Sequence, residues 1–180
     1  MSTPGLTRLR GRRSSLSRRA GAWSVTTATS AFAPTRRGNV PEPELAVLSN
    51  HAGEVVAYAV GNGMSSHSIE RENPHYLPQA KVYDRSCSIG PAAVLASVVD
   101  PLRSEVRMTI ERSGEQIFSG KSSVSELVRD PAELTHVLHS AYPLPVGAWL
   151  LTGTSVVPAP GVDSTSRRCL TARLSASRST

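Results

Sequence analysis

Apolar residues recur with the spacing of regular secondary structure only between residues 39 and 160 of this 180-residue chain. That stretch is long enough for one domain with its own core, because single domains commonly contain about 100 to 200 residues. The flanking segments are rich in Ser, Thr, Arg and Ala, and they cannot bury enough apolar surface to offset the entropy lost on ordering. We therefore expect one folded domain, 39–160, between a disordered basic segment, 1–38, and a disordered or aberrant tail, 161–180.

The two ends also carry the positive charge. Residues 1–41 contain eight arginines and no acidic residue, whereas residues 42–160 contain 13 acidic and eight basic residues. Because the part that can fold is acidic, we do not expect a nucleic-acid partner. The N-terminal segment fits a disordered arm, an organellar transit peptide, an RNA-binding arm or frame-displaced sequence.

Cysteine usage and hydropathy indicate the compartment. Cys87 and Cys169 are far apart and form no C-x-x-C spacing, so neither a disulfide framework nor a cysteine zinc site is predicted. No apolar run approaches the roughly 18 residues that span a bilayer, and the N-terminus has no secretory apolar stretch. We expect a soluble, cytoplasmic protein without a membrane partner.

Short apolar runs between turn residues predict a mostly β fold (α+β) with one clear helix. Strands are expected at 45–48, 55–60, 95–99, 105–110, 116–118 and 149–154, with 156–157 continuing the sheet. The polar segment 61–81 contains two prolines and predicts a loop with a short helical turn, of the kind that carries function.

The helix is expected at 132–141. Asp130 is a typical N-cap and Pro131 a typical first helical residue. Leu134 and Leu138 lie on one face, which makes the helix amphipathic. We expect His136 and His139 on its solvent-exposed surface, and we treat every histidine, including His67 and His75, as non-catalytic.

Two carboxylates stand two residues apart where the first strand begins, at Glu42 and Glu44. In an extended segment, residues i and i+2 point to the same face. Converging carboxylates are ligands for hard cations such as Mg²⁺, Mn²⁺ or Ca²⁺. Two glutamates beside prolines are also a common surface feature, so the pair alone leaves both interpretations open.

This pair opens a series of motifs that resembles the fumarylacetoacetate hydrolase (FAH) family over about two thirds of the chain. In order, the matching segments are 39–46, Gly61-Asn62, Ser65-Ser66, Ile69-Glu70, 72–74, 76–84, Gly90-Pro91 and 150–154. The resemblance implies an FAH-type mixed β-sandwich roll that assembles as a homodimer. It also implies a metal-dependent enzyme acting on 2-oxo acids.

The resemblance leaves two reactions open: C–C bond hydrolysis in an acylpyruvate-like substrate, and dehydration of a 2-keto-3-deoxy sugar acid. Segment 73–81 and the short span from Glu44 to Gly63 look more like the dehydratase branch. By resemblance, Glu42 and Glu44 are ligands for Mg²⁺, or for Mn²⁺ or Ca²⁺. Lys81 is implied as the catalytic residue.

Three further residues are implied as substrate-binding: Gln79, Thr152 and Thr154. Outside these motifs, Lys81 would be interpreted as a solvated surface lysine. The Thr152-Gly153-Thr154 sequence would be interpreted as an ordinary turn at the end of a strand. Their position within the matched motifs is what singles them out.

The chain departs from the family pattern at the third metal ligand. The family has an aspartate after Gly-Asn, whereas this chain has Gly63, and an arginine and an aspartate of the next turn appear as His67 and Ser68. The closing strands have no recognisable counterpart in 164–180, so the roll is expected to be incomplete at the C-terminus. The alternative to an active enzyme is therefore a catalytically impaired or truncated remnant with a structural role or none.

Overall fold

A computed structural model describes residues 38–90 and 92–158, together with the backbone of 169–176. The strands in these ranges are β1 (Asn39–Val40), β2 (Pro43–Ser49), β3 (Val55–Gly63), β4 (Ser65–Ser66), β5 (Cys87–Ile89), β6 (Val94–Leu95), β7 (Ser104–Arg112), β8 (Glu115–Ser123), β9 (Ala148–Leu151) and β10 (Cys169–Ala176). The α-helices are α1 (His67–Glu70), α2 (Leu77–Lys81) and α3 (Pro131–Ala141). The expected mostly β fold with one clear helix is confirmed. All but the last residue of the predicted disordered segment 1–38 lie outside the described residues.

Two antiparallel sheets face each other across the main core. One has the order β5-β3-β2-β9, with β6 also paired to β3, and the other has the order β10-β7-β8. The buried side chains between them are Leu45, Val47, Tyr58, Val60, Val106 and Val124. β2 pairs with β3 along one edge and with β9 along the other. Six of its seven residues are buried, which agrees with its continuous apolar run.

The turns form where the sequence predicts them. In the β2–β3 turn, the Asn50 side chain accepts hydrogen bonds from the amides of Ala52 at 2.9 Å and Glu54 at 3.0 Å. Ser113 and Gly114 both adopt positive φ between β7 and β8, which matches the twist of a tight hairpin. In β7, every second residue from Ser104 to Ile110 is buried, as its period-2 pattern predicts.

Helix α3 begins as expected. Asp130 accepts a hydrogen bond from the Ala132 amide at 2.7 Å, and Pro131 is the first helical residue. His136 is exposed, as predicted. His139 differs from its prediction, because it is only partly exposed and its Nε2 lies 2.9 Å from the buried Ser49 Oγ.

Two regions predicted to be extended, 95–99 and 156–157, form less strand than expected. β6 pairs with β3 over only two residues, and the chain then forms a 3-10 turn at Ala96–Val98. A second 3-10 turn follows, capped by Asp100, so the strand predicted at 95–99 cannot extend. Val156 does not continue the sheet and packs instead against Met108 and Ile110.

The C-terminal tail differs from the prediction within residues 169–176. This segment forms β10, antiparallel to β7, whereas the sequence led us to expect a disordered or aberrant tail. The physical reason is an alternation of Leu170, Ala172 and Leu174 with polar residues, which sets them in register with Ile110, Met108 and Val106. The rest of the tail lies outside the described residues.

None of the helices in the described ranges combines the length and hydropathy needed to cross a bilayer.

Candidate functional site

The candidate metal ligands and the candidate catalytic lysine line one cavity of about 510 Å³. The parts of the fold that meet there are the start of β2, the end of β3, β4, the end of α2, the start of β5 and the turn after β9. The lining residues are Glu42, Glu44, Gly63, Met64, Ser65, Lys81, Ser86, Cys87, Leu151, Thr152, Gly153 and Thr154. Residues distant in sequence thus surround one space.

Lys81 is held by a buried carboxylate and a buried hydroxyl. Its Nζ donates to Glu42 Oε2 at 2.6 Å and to Ser65 Oγ at 2.6 Å. Ser65 Oγ in turn donates to Glu42 Oε2 at 2.7 Å, which closes a three-membered network. Lys81 is therefore oriented toward the carboxylates and is not the freely solvated surface lysine of the alternative interpretation.

Glu44 is buried, and its carboxylate lies beside Gly63. The Gly153 amide donates to Glu44 Oε2 at 2.5 Å. Burial raises the pKa of Glu44 to about 7, the nearby Glu42 carboxylate adds to the increase, and the Gly153 hydrogen bond and Lys81 oppose it. The ionised form of Glu44 is thus poorly compensated by the groups around it.

Two further ligand-type side chains come from α1. Glu70 Oε1 lies 3.9 Å from Lys81 Nζ. His67 Nε2 lies 4.0 Å from Glu42 Oε1 and 3.9 Å from Glu70 Oε2. One donor atom from each of Glu42, His67 and Glu70 lies within 4.8 Å of the other two. His67, which the sequence led us to treat as non-catalytic, thus has two ligand-type neighbours.

The candidate substrate-binding residues differ in position. Thr152 and Thr154 line the cavity, but their hydroxyls donate to the backbone carbonyls of Leu45 at 3.1 Å and Val156 at 3.2 Å. The Thr154 hydroxyl also accepts a hydrogen bond from the Val156 amide at 3.1 Å. In this arrangement both threonine hydroxyl protons are therefore engaged by the backbone. Gln79 is exposed on α2 and is not among the lining residues.

A second cavity of about 390 Å³ is also lined by the turn after β9. Four residues line both cavities: Glu44, Thr152, Gly153 and Thr154. Glu42 and Lys81 line only the larger one. The candidate metal ligands and the candidate catalytic lysine therefore come together only in the larger cavity.

The sequence alone did not single out Ser65, His67 or Glu70 for a role. Ser65-Ser66 and Ile69-Glu70 were part of the matched motifs, and that position was the only signal available. The three come together because β4 pairs with β1 beside Glu42 and leads directly into α1.

The family model described as "Fumarylacetoacetate (FAA) hydrolase C-terminal" matches residues 42–174. The chain therefore belongs to the fumarylacetoacetate hydrolase family, as its motifs predicted. The match includes most of β10, which agrees with the pairing of that strand.

Two named relatives show which enzymes of the family the chain resembles. The chain is 53% identical over 121 residues to a "Probable 2-keto-3-deoxyxylonate dehydratase" of Haloferax volcanii, covering 67% of this chain and 42% of that protein. It is 35% identical over 120 residues to a "2-dehydro-3-deoxy-D-arabinonate dehydratase" of Saccharolobus solfataricus, covering 66% of this chain and 40% of that protein. The chain thus spans about two fifths of these relatives' length.

A solved structure supports the fold. It is described as 2-keto-3-deoxy-D-arabinonate dehydratase complexed with magnesium and 2,5-dioxopentanoate, and it matches with a TM-score of 0.75 at 30% identity. The match covers 78% of this chain and 50% of that one. The expected FAH-type fold is confirmed.

Proposed function

We propose that this chain carries the metal-dependent active site of a lyase that dehydrates 2-keto-3-deoxy sugar acids. The observation that carries the proposal is the convergence of Glu42, Glu44 and Lys81 on one cavity. The named relatives are dehydratases of such acids, which favours dehydration over the acylpyruvate hydrolysis that the family resemblance also left open.

The donor groups fit a divalent cation. Glu42 and Glu44 are buried carboxylates that line the same cavity, and carboxylate oxygens are the ligands that Mg²⁺, Mn²⁺ and Ca²⁺ prefer. Burial raises the pKa of Glu44 to about 7, and a cation bound beside this carboxylate would favour its ionised form. We assign Mg²⁺ to Glu42 and Glu44, because magnesium accompanies the related dehydratase structure. Bound there, the ion supplies Lewis-acid polarisation of the 2-oxo group.

Lys81 supplies a fixed positive charge. Dehydration transfers a proton from the carbon beside the 2-oxo group to a base, and negative charge develops on the oxo oxygen. The next carbon then releases its hydroxyl group, which leaves as water as the carbonyl re-forms. An ammonium oriented by Glu42 and Ser65 stabilises that charge without reorganising at the moment of reaction. Thr152 and Thr154 shape the cavity wall through their hydrogen bonds to the backbone. The substrate-binding role of Gln79 stays a prediction.

A second candidate follows from Gly63. The resemblance places a third carboxylate ligand at this position, and glycine provides none, which favours a catalytically impaired remnant. A cytoplasmic homodimer remains a prediction under both candidates.

The test is turnover of 2-keto-3-deoxy pentonates and of acylpyruvates by the purified chain with Mg²⁺, with Mg²⁺ binding measured by calorimetry. We expect dehydration by the wild type and loss of both Mg²⁺ binding and turnover in Glu44→Gln. Glu115→Gln, which changes an exposed glutamate on β8, is the matched control. Magnesium binding without turnover of any of these acids would support the remnant, and turnover of acylpyruvates alone would support the hydrolase.

A further inference from the structure

We infer that Glu42, His67 and Glu70 form a second cation position that prefers a transition metal such as Zn²⁺, Co²⁺ or Mn²⁺ over Mg²⁺. This position shares Glu42 with the proposed magnesium pair but does not include Glu44. It goes beyond the proposed function because it concerns a different donor set and its test does not depend on turnover.

The geometry of the three donor atoms carries the inference. His67 Nε2 lies 4.0 Å from Glu42 Oε1 and 3.9 Å from Glu70 Oε2. Donors about 2.1 Å from a tetrahedral ion are separated by about 3.4 Å. The two pairs that include His67 therefore need to close by about half an ångström, and the third pair, Glu42 and Glu70, lies within 4.8 Å. Side-chain rotation can supply movements of this size.

The other oxygen of each carboxylate, the one that does not face His67, lies near the Lys81 ammonium. Lys81 Nζ contacts Glu42 Oε2 at 2.6 Å and Glu70 Oε1 at 3.9 Å, the oxygens that do not face His67. Ser65 also donates to Glu42 Oε2 at 2.7 Å. Such outer contacts fix the orientation of carboxylate ligands and are a regular part of metal sites.

The chemistry of the donors sets the preference among metals. An imidazole nitrogen with two carboxylates suits Zn²⁺, Co²⁺ and Mn²⁺, whereas Mg²⁺ prefers oxygen donors alone. The imidazole stands in this chain where the family pattern has an arginine, which cannot be a ligand. The same chain has Gly63 in place of a carboxylate. The chain thus has no oxygen donor at position 63 and has a nitrogen donor at position 67.

The competing interpretation is an ion-pair network centred on Lys81. In that case the two carboxylates are compensated by the ammonium, and His67 only packs beside them. The two interpretations differ in what removal of the imidazole does to metal affinity.

The experiment uses the full chain after treatment with EDTA. Zn²⁺ and Mg²⁺ binding are measured by calorimetry, and Co²⁺ binding by its visible absorption, for the wild type, His67→Gln and Glu70→Gln. His75→Gln is the control, because His75 is an exposed histidine of the same segment. We expect Zn²⁺ to bind about 100-fold more tightly than Mg²⁺ in the wild type. His67→Gln and Glu70→Gln should each weaken Zn²⁺ binding about tenfold or more, while His75→Gln stays within twofold.

Two measurements separate this inference from the proposed function and from loss of folding. Glu44→Gln should lose Mg²⁺ binding and keep Zn²⁺ binding. X-ray absorption of the unmodified chain loaded with one equivalent of Zn²⁺ should show one imidazole in the first shell, and this result requires no variant to fold. Unchanged Zn²⁺ affinity in His67→Gln, or a zinc shell without imidazole, would overturn the inference in favour of the Lys81 network.

Discussion

A Cβ added at Gly63 would lie 2.8 Å from Oε1 of Glu44, closer than a real Cβ atom approaches an oxygen. The Glu44 carboxylate therefore occupies the space where the aspartate of the family pattern would begin. The absence of a side chain at position 63 and the position of the Glu44 carboxylate are therefore linked, because both side chains would need the same space. Restoring the aspartate must move Glu44.

We expect Gly63→Asp to destabilise the metal-free chain and to increase its response to Mg²⁺. The new side chain crowds Glu44 and places a third carboxylate beside two buried ones, at a cost of about 1 to 3 kcal/mol. An added ligand should tighten Mg²⁺ binding, and the bound ion then offsets the repulsion. Thermal unfolding with EDTA and with excess Mg²⁺ measures both effects.

Gly63→Ala is the matched control, because it introduces the same Cβ without a charge. It should lose stability without a larger response to Mg²⁺. Equal Mg²⁺ responses in the two variants would show that position 63 is not a ligand position. Turnover by Gly63→Asp but not by the wild type would identify the natural chain as an impaired relative.

The buried Glu44 predicts a pH-dependent stability. Its pKa is about 7 in the folded chain against an ordinary value of 4.5, so between these values the folded state binds more protons than the unfolded state. The stability from this group is fully present below about pH 4.5 and is lost as the pH rises through about 7. The loss is about 3 kcal/mol.

Urea denaturation at pH 5 and pH 8 in EDTA tests this expectation. Relative to Glu44→Gln, the wild type should lose about 2 to 3 kcal/mol between the two pH values. A constant difference between the two proteins would mean that Glu44 is not protonated in the folded state.

The local parts of the fold could be predicted from the sequence because their causes are local. The β2–β3 hairpin follows from apolar runs around Asn50 and Gly53, β7 from its alternating residues, and the start of α3 from Asp130 and Pro131. Glu42, Glu44 and Lys81 were found from motif position, and the structure places all three around one cavity.

The remaining features depend on contacts between distant segments. β10 pairs with β7 across more than 50 residues, and eight residues of modest hydropathy give little sign of this in isolation. His67 meets Glu42 only because β4 pairs with β1. Nothing in the spacing of His67 and Glu42 along the chain indicates that approach.

The hydrogen bond between Ser49 and His139 should anchor α3 to the main sheet. Its length is 2.9 Å, and Ser49 is buried. We expect Ser49→Ala and His139→Ala to destabilise the chain, with a coupling energy of about 1 kcal/mol in a double-mutant cycle. His136→Ala, on the exposed face of the same helix, should change the free energy of unfolding by less than about 0.5 kcal/mol. Additive effects of the two main substitutions would contradict the anchor.

Gly147 should tolerate substitution much less well than Gly114. Both have positive φ, +75° and +82° respectively, so alanine carries a similar backbone strain of about 1 kcal/mol at each position. A Cβ at Gly147 would in addition overlap the Ser49 carbonyl oxygen, whereas a Cβ at Gly114 meets no atom within 4 Å. We expect Gly147→Ala to cost at least about 2 kcal/mol more than Gly114→Ala in chemical denaturation. Equal costs would show that the chain before β9 can move away from Ser49.

Lys81 should be required for turnover and not for metal binding. Replacing its ammonium with an apolar group in Lys81→Met removes the charge that stabilises the developing oxo anion, so we expect kcat to fall about 100-fold or more. Mg²⁺ binding should be retained or become tighter, because Glu42 loses its competing cation at 2.6 Å. Calorimetry and initial rates on the same preparation separate the two effects.

The chain contains one other lysine, Lys121, which is exposed on β8 and paired with Glu105 at 3.2 Å. Lys121→Met is therefore a matched loss of charge away from the cavity and should leave kcat within about twofold, since exposed ion pairs contribute little. Lys81→Arg keeps the charge but changes the shape of the donor, so its rate should lie between those of the wild type and Lys81→Met. If Lys81→Met retained kcat within a few-fold while binding Mg²⁺ normally, Lys81 would be a structural partner of Glu42, and the source of charge stabilisation would have to lie elsewhere in the cavity.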